Sequence, residues 1–353
     1  MSSAFSPLSR REGLSIGAGV GYSSGMRVVE YDRYGGSDVL RIRDAAEEEP
    51  GAGEVRVRVR AAALNPKDLA LRSGRFRLFT RWYFPLRVAY DWAGEVAAIG
   101  PGVRDVSVGD RLFGMINAWR GGACADSVVV RLSECAPMPA GLGFEEAAAL
   151  PLAALTSLQA LRDIGRVGPG SSVCINGGSG GVGVFAIQVG RALGARITSV
   201  SSAANAELCR SLGAAETLDY AKDDLLAGRR WDVFFDVVGN HDLRRVRPSL
   251  APRGAYISTV LGKGFYKDIL RTALGRKRAR FVSVRSRRAD LFALTRLVEE
   301  GRLRAVIDRT FPFDEIIAAQ DFLATKRARG KVVIRVDPRT APAPARDSDP
   351  ASP

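Results

Sequence analysis

Histidine is almost absent from this chain: its 353 residues contain one, His241, with only four cysteines, Cys124, Cys135, Cys174 and Cys209. The cysteines are widely spaced and none forms a Cys-x-x-Cys pair, so neither a zinc ribbon nor a disulfide framework is written here. That usage suits a reduced, cytoplasmic setting. No apolar run approaches the roughly 18 residues that a membrane-spanning helix requires. Lysine is also scarce, at seven of the 52 basic residues, so arginine carries the formal charge of +14. The arginines are spread along the whole chain, many alternating with valine. This favours a solvated surface over a nucleic-acid partner. The length and a hydrophobic fraction of 46% allow about two domains with a sizeable core.

Residues 1–25 are rich in Ser and Gly without periodicity and read as a flexible extension; 337–353, rich in Pro, Ala and Asp, read as a disordered tail. From Met26 the signals are β. Strands are expected over Met26–Tyr31, Val39–Arg43 and Glu54–Ala61, where Val55, Val57 and Val59 alternate with Arg56, Arg58 and Arg60. Period-2 alternation fits an antiparallel sheet with one wet face. From about Leu152 strands alternate with helices: strand Ser172–Asn176, helix Gly181–Leu193, strand Arg196–Val200, helix Asn205–Leu212, and strands Trp231–Val238 and Gly254–Val260. Such alternation predicts βαβ units in a doubly wound parallel sheet, hence an α/β fold overall. A helix over Phe313–Leu323 and a strand over Lys331–Val336 close the ordered chain.

The strongest motif is Gly178-Ser179-Gly180-Gly181-Val182-Gly183, a G-x-G-x-x-G run placed directly after a strand and before a helix. Glycines there let the backbone approach a pyrophosphate, and the helix N-terminus offers amide donors and partial positive charge. A NAD site places Asp or Glu at the end of the next strand to take the ribose hydroxyls. That strand ends instead in Ser201-Ser202-Ala203-Ala204-Asn205. Nothing there repels a 2′-phosphate, Ser202 and Asn205 can donate to it, and Arg210 or Lys222 can supply charge. NADPH is therefore the expected cofactor, although Ser202 and Asn205 also suit a helix cap.

These residues resemble the medium-chain dehydrogenase/reductase superfamily, in its zinc-independent quinone oxidoreductase (zeta-crystallin-like) branch. The resemblance spans about 26–336. It rests on Ala61-Ala62-Ala63-Leu64-Asn65-Pro66-Lys67-Asp68, Tyr90-Asp91-Trp92-Ala93-Gly94-Glu95-Val96, Val108-Gly109-Asp110-Arg111-Leu112-Phe113-Gly114, Leu150-Pro151-Leu152-Ala153-Ala154-Leu155-Thr156-Ser157, the glycine turn, Leu218-Asp219-Tyr220, Phe235-Asp236-Val237-Val238-Gly239 and Gly330-Lys331-Val332-Val333. It implies a GroES-like catalytic domain (26–151 and 306–336), a Rossmann NADP-binding domain (152–305) between its parts, and a homodimer. Tyr90 stands where zinc-dependent relatives have a metal-binding histidine, and Met115–Ala125 holds only Cys124 where they carry a four-cysteine lobe. No metal is expected.

By the same resemblance, Asn65 and Thr156 lie near the nicotinamide and the reacting carbonyl, with Asp68 and Asp91 as orienting groups; the two aspartates equally suit structural roles in a helix or turn. Ser179, Gly180, Gly181, Val182 and Gly183 hold the pyrophosphate, Ser202 and Tyr220 meet the adenosine phosphate end, and Gly239 lies near the ribose. Tyr90 is either a donor to the substrate oxygen or, as a tyrosine in an apolar stretch more often is, a packed core residue. Lys331 reads as a solvated strand-end residue, with an approach to the cofactor cleft as the alternative. Without a metal, acceptors must be electrophilic already: a quinone, an enone or an enal. An enoyl-thioester reductase is the alternative, and a non-catalytic NADPH-sensing or RNA-binding protein is another. The aromatic-basic segment holding Phe76, Phe79, Trp82, Tyr83 and Phe84 would lie over the substrate mouth. The run 263–288, ten basic residues against Asp268, reads as a solvated surface or as a membrane-peripheral contact with anionic lipid.

Overall fold

A computed structural model describes residues 25–262, 265–273 and 275–337. The expected N-terminal extension up to residue 24, the tail from residue 338, and Lys263 of the basic run lie outside the described residues. Three sheets organise the chain. A small antiparallel sheet joins Met26–Tyr31 to Arg41–Ala45 and Leu86–Arg87. The second of these strands begins two residues later than expected, because Ser37–Val39 forms a 3-10 turn first.

The central strand of the second, largely antiparallel sheet is Glu54–Leu64. Val55, Val57 and Val59 are buried while Arg56, Arg58 and Arg60 keep partial or full exposure, as a half-wet face demands. At Ala61 the alternation gives way to four consecutive buried residues, and there both faces are covered. Lys331–Arg335 flanks this end on one side and Asp91–Ile99 on the other, both antiparallel to it. Ile307–Pro312 joins the edge in parallel with Lys331–Arg335.

The third sheet is parallel throughout. In space its strands run Glu216–Asp219, Arg196–Ser201, Ser172–Asn176, Trp231–Asp236, Leu250–Ser258 and Arg278–Phe281. Numbered along the chain this is order 3-2-1-4-5-6, a doubly wound Rossmann sheet whose order reverses beside Ser172–Asn176. A ligand crevice is expected at that reversal, outside the carboxyl ends of the strands. The following helix spans Gly183–Ala192; its start falls two residues later than expected, because Gly181 and Val182 belong to the turn. Likewise a 3-10 turn takes Phe313–Glu315, and the helix proper is Ile316–Ala324.

Candidate active site

The glycines of the turn are required by space. A Cβ on Gly183 would lie 2.1 Å from the Gly177 carbonyl oxygen, and one on Gly178 would lie 1.8 Å from Ser199 Oγ. Both contacts are far below van der Waals distance, so the turn is a tight cradle at the strand-order reversal. Two polar atoms beside it, Ser199 Oγ and Asn205 Oδ1, are buried and, among the described residues, have no hydrogen-bond partner. Asn205 Nδ2 donates to Ser179 Oγ at 3.1 Å, which ties the end of the second strand to the turn. Gly239 has φ of +75° and donates its N–H to Asp236 Oδ1 at 2.8 Å. Ser202 is half-buried and Tyr220 is 65% exposed. A backbone approachable only through glycine, beside orphaned donors and acceptors, fits a dinucleotide.

Across from the turn, three strand ends of the second sheet converge. Asn65 follows the central strand and is the N-cap residue of the helix Pro66–Arg72; Asp91 and Lys331 each open a flanking strand. The Lys331 ammonium donates to Asn65 Oδ1 at 2.6 Å and to Asp91 Oδ2 at 3.0 Å. Asn65 Nδ2 donates to the same Asp91 oxygen at 3.0 Å, and the Leu152 N–H donates to Asp91 Oδ1 at 2.7 Å. That last donor belongs to the first turn of the helix Pro151–Leu158, where a carboxylate meets free amides and positive dipole. The side chains of Asp91 and Lys331 are 0% and 2% exposed. Lys331 is thus a buried cation, not the solvated strand-end lysine expected. The register that pairs Val332 with Leu64 draws it inward.

This cluster abuts the glycine turn. Gly330 N–H donates to the Ser179 carbonyl at 3.0 Å, Gly180 and Gly330 form a parallel bridge, and a Cβ on Gly181 would lie 3.5 Å from Lys331 Cδ. Ser157 Oγ adds a bond to the Val182 carbonyl at 3.1 Å. Asn65, Asp91 and Lys331 are therefore brought together beside Ser179–Gly183.

The other expected site residues have different roles. Asp68 accepts from Asn65 N–H and Ala89 N–H, both at 2.8 Å, so it fixes the helix start and the adjoining segment. Burial raises its carboxyl to about 6 despite those two donors. Thr156 is buried and donates to the Leu152 carbonyl at 2.7 Å, one helical turn back. Of the two readings of Tyr90 the packed core tyrosine matches the structure and the substrate donor does not: the residue is 1% exposed and its hydroxyl donates to the Trp119 carbonyl at 2.7 Å, so that proton is committed within the fold. His241 lies far from this cluster in sequence, with its ring edge-on to Phe234 and its N–H bonded to Asp236. Burial lowers its pKa, with Asp236 opposing.

Lys67, on the same helix as Asp68, went unread in the sequence. Its ammonium sits 3.4 Å from the Tyr90 ring centroid and 5.6 Å from that of Trp119. Burial lowers its pKa to about 8, against the pull of Asp68 and Asp91. Phe79 stacks on Trp119 at 6.3 Å, and with Trp82 and Tyr83 it gives this segment an exposed aromatic rim, to which exposed Leu78 adds apolar surface; Phe76 and Phe84 pack inward.

Two family models match: the alcohol dehydrogenase GroES-like domain over 51–159 and the zinc-binding dehydrogenase model over 212–334. A quinone oxidoreductase of Pseudomonas aeruginosa is 32% identical over 327 residues, covering 87% of this chain and 98% of the relative. The chain belongs to the medium-chain dehydrogenase/reductase superfamily. Further members similar to it include the 2-methylene-furan-3-one reductase of Solanum lycopersicum, 34% identical over 89% of this chain and 80% of its own. The solved quinone oxidoreductase of Coxiella burnetii superposes with a TM-score of 0.82 at 30% identity, over 89% of this chain and all of that one. This dehydrogenase/reductase is a quinone oxidoreductase-like enzyme that works with a nicotinamide cofactor. Its fold combines the GroES-like and Rossmann parts of its relatives.

Zinc, implied by the name of one family model, does not fit these residues. Among the described residues no three His, Cys, Asp or Glu side chains stand close enough to hold a metal ion. Asp91 already faces an ammonium, which would repel a dication. All four cysteines are buried, and burial pushes the thiols of Cys124, Cys135 and Cys174 up, Cys135 to about 12.

Proposed function

We propose that this oxidoreductase uses NADPH, without zinc, to reduce a quinone or an α,β-unsaturated carbonyl compound. The observation that carries the reading is the Asn65–Asp91–Lys331 cluster set against the glycine turn: the junction is organised by a buried ammonium instead of metal donors. When bound, the nicotinamide supplies hydride. The residues Ser179–Gly183 would hold the pyrophosphate, and Ser202 and Asn205 would face the adenosine phosphate. Lys331 uses two of its three N–H donors within the cluster, and among the described residues the third has no partner. Rigid support of this kind orients reactants and excludes water, which serves an acceptor that is already electrophilic.

NADPH oxidation should be followed with quinones, enones, enals and crotonyl thioester, with and without chelator. Cofactor binding without oxidation by any acceptor would refute the enzymatic reading and favour a sensing role; loss of activity to chelator would refute zinc independence. Preference for the crotonyl thioester would move the assignment to enoyl-thioester reduction, which the same site serves. Comparing kcat/KM for NADPH and NADH tests the cofactor choice; the absence of a carboxylate among Ser201–Asn205 favours NADPH.

We further propose a homodimer in the cytoplasm with peripheral contact to anionic membranes through the basic run. A groove of about 650 Å³ lined by Arg244, Arg247, Arg271 and Lys277, with Asp268, gives that surface its charge. Exposed Tyr266 and Leu270 lie beside it. Flotation with anionic vesicles, weakened by salt, is the expected result.

A further inference from the structure

Two cations flank the Asn65–Asp91 centre, and only one of them is held by a carboxylate. Lys331, on the side of the glycine turn, is fixed by Asp91. Lys67 lies toward the aromatic rim, and among the described residues its ammonium has no hydrogen-bond acceptor and no ion pair. It rests on the π faces of Tyr90 and Trp119. Trp119 is 44% exposed and is stacked by Phe79, which is 65% exposed. Lys67 therefore stands between the cofactor junction and the apolar surface that a flat acceptor would meet. An aromatic seat steadies a cation without tying it to an acceptor oxygen, so the N–H donors turned away from the ring stay available for an oxygen arriving there.

We propose that Lys67 is a catalytic residue, the proton donor to the carbonyl oxygen of the acceptor. The inference rests on the reading of the chain as a quinone or enone reductase. As hydride reaches the β-carbon of an enone, the C=C π pair shifts and negative charge collects on oxygen. The Lys67 N–H bond breaks, an O–H bond forms to give the enol, and the neutral amine takes a proton back from water. NADPH is the reductant, so electrons and protons balance. The charged groups facing Lys67 are Asp68 from its own helix and Asp91 from the neighbouring strand; Tyr90, Trp119 and Phe79 add no formal charge. Because burial outweighs the two carboxylates, the amine gives up its proton near the operating pH, where a general acid works best.

The test compares wild type with Lys67→Met and Lys67→Arg, using an enone acceptor over about pH 6 to pH 10. Wild-type kcat/KM should fall about tenfold per pH unit above the Lys67 titration, and competitive amine labelling read by mass spectrometry should place that titration directly. Lys67→Met should lose about 10²–10⁴-fold in kcat/KM and lose the descending limb. Lys67→Arg, which keeps the charge but does not release a proton, should hold KM while kcat drops. Both variants should bind NADPH as wild type does. Retention of the descending limb in Lys67→Met, or an enone kcat/KM within about tenfold of wild type, overturns the role of Lys67 alone. A wild-type protein that binds NADPH but reduces no acceptor overturns the parent reading, and the inference with it. Labelling that finds Lys67 titrating as an ordinary exposed lysine overturns the inference with the parent reading intact.

Discussion

Replacing Lys331 with methionine removes the one cation that, among the described residues, is bonded to the fully buried Asp91 carboxylate. Removing one partner of a buried pair typically costs about 3–5 kcal/mol, because the other charge is left uncompensated. Here Asp91 would keep two donors, Asn65 Nδ2 and Leu152 N–H, which places the expected loss near about 3 kcal/mol. At roughly 2–4 °C per kcal/mol for folds of this size, the unfolding midpoint should drop by about 6–12 °C. Asp91→Asn should cost a similar amount: its amide would turn a donor toward the ammonium and toward Asn65 Nδ2. In the double variant neither charge remains, so the two losses should not add; a coupling of about 2–3 kcal/mol is expected. Urea unfolding without cofactor, followed by the fluorescence of buried Trp92 beside Asp91, measures all three. A Lys331→Met cost below about 1 kcal/mol, as for an exposed ion pair, would refute the argument. So would strictly additive losses.

Gly183→Ala should weaken NADPH binding by at least about 100-fold in a fluorescence titration, since its methyl would collide with the Gly177 carbonyl and force the turn open. For Lys67 the folded pKa, about 8, lies below the ordinary lysine value of 10.5. Below about pH 8 both states carry the proton and the fold bears the desolvation penalty; between about 8 and 10.5 only the unfolded chain holds it, so stability rises with pH. Lys67→Met should therefore be more stable than wild type at neutral pH by on the order of 3 kcal/mol, with the difference shrinking as pH rises through that window. Changing exposed Phe79 and Trp82 to serine should move stability by less than about 0.5 kcal/mol each while raising KM for apolar quinones and leaving cofactor affinity unchanged.

What was legible in the sequence was local. The glycine turn announced itself because its spacing answers to contacts within a few residues, Gly183 against Gly177 above all. The valine–arginine alternation of Glu54–Arg60 declared a half-wet sheet for the same reason. Asn65 and Asp91 were marked only through resemblance, since their meeting depends on strand register. The sequence favours a solvated end for Lys331 over the cleft because its burial is set by a partner 266 positions away, and Lys-Val-Val-Ile-Arg reads equally well as a strand with a wet end. Lys67 escaped notice because a lysine in the first turn of a helix ordinarily points to water; the rings that enclose it come from 23 and 52 residues downstream, at Tyr90 and Trp119. At Tyr90 the sequence leaves a substrate donor and a core tyrosine both open, because nothing local reveals the Trp119 carbonyl.

The scarcity of histidine acquires a physical meaning once the cluster is seen. A metal at the junction would need several neutral or anionic donors converging on one point. This chain instead brings one carboxylate, one carboxamide and one ammonium together there. An ammonium fixed by Asp91 can complement a bound anion such as a pyrophosphate, but it cannot expand its coordination to grip and polarise an unactivated alcohol. The polarising job then falls to a cation that is close but uncommitted, and Lys67 answers that description while Lys331 does not. Dividing the work in this way predicts a separation of phenotypes: loss of Lys331 should lower stability and cofactor affinity, whereas loss of Lys67 should raise stability at neutral pH while lowering kcat and altering its pH profile. The greater an acceptor's own electrophilicity, the less it should depend on Lys67. A strongly oxidising quinone should thus lose less activity than a simple enone in Lys67→Met, and the reverse order would contradict the proton-donor assignment.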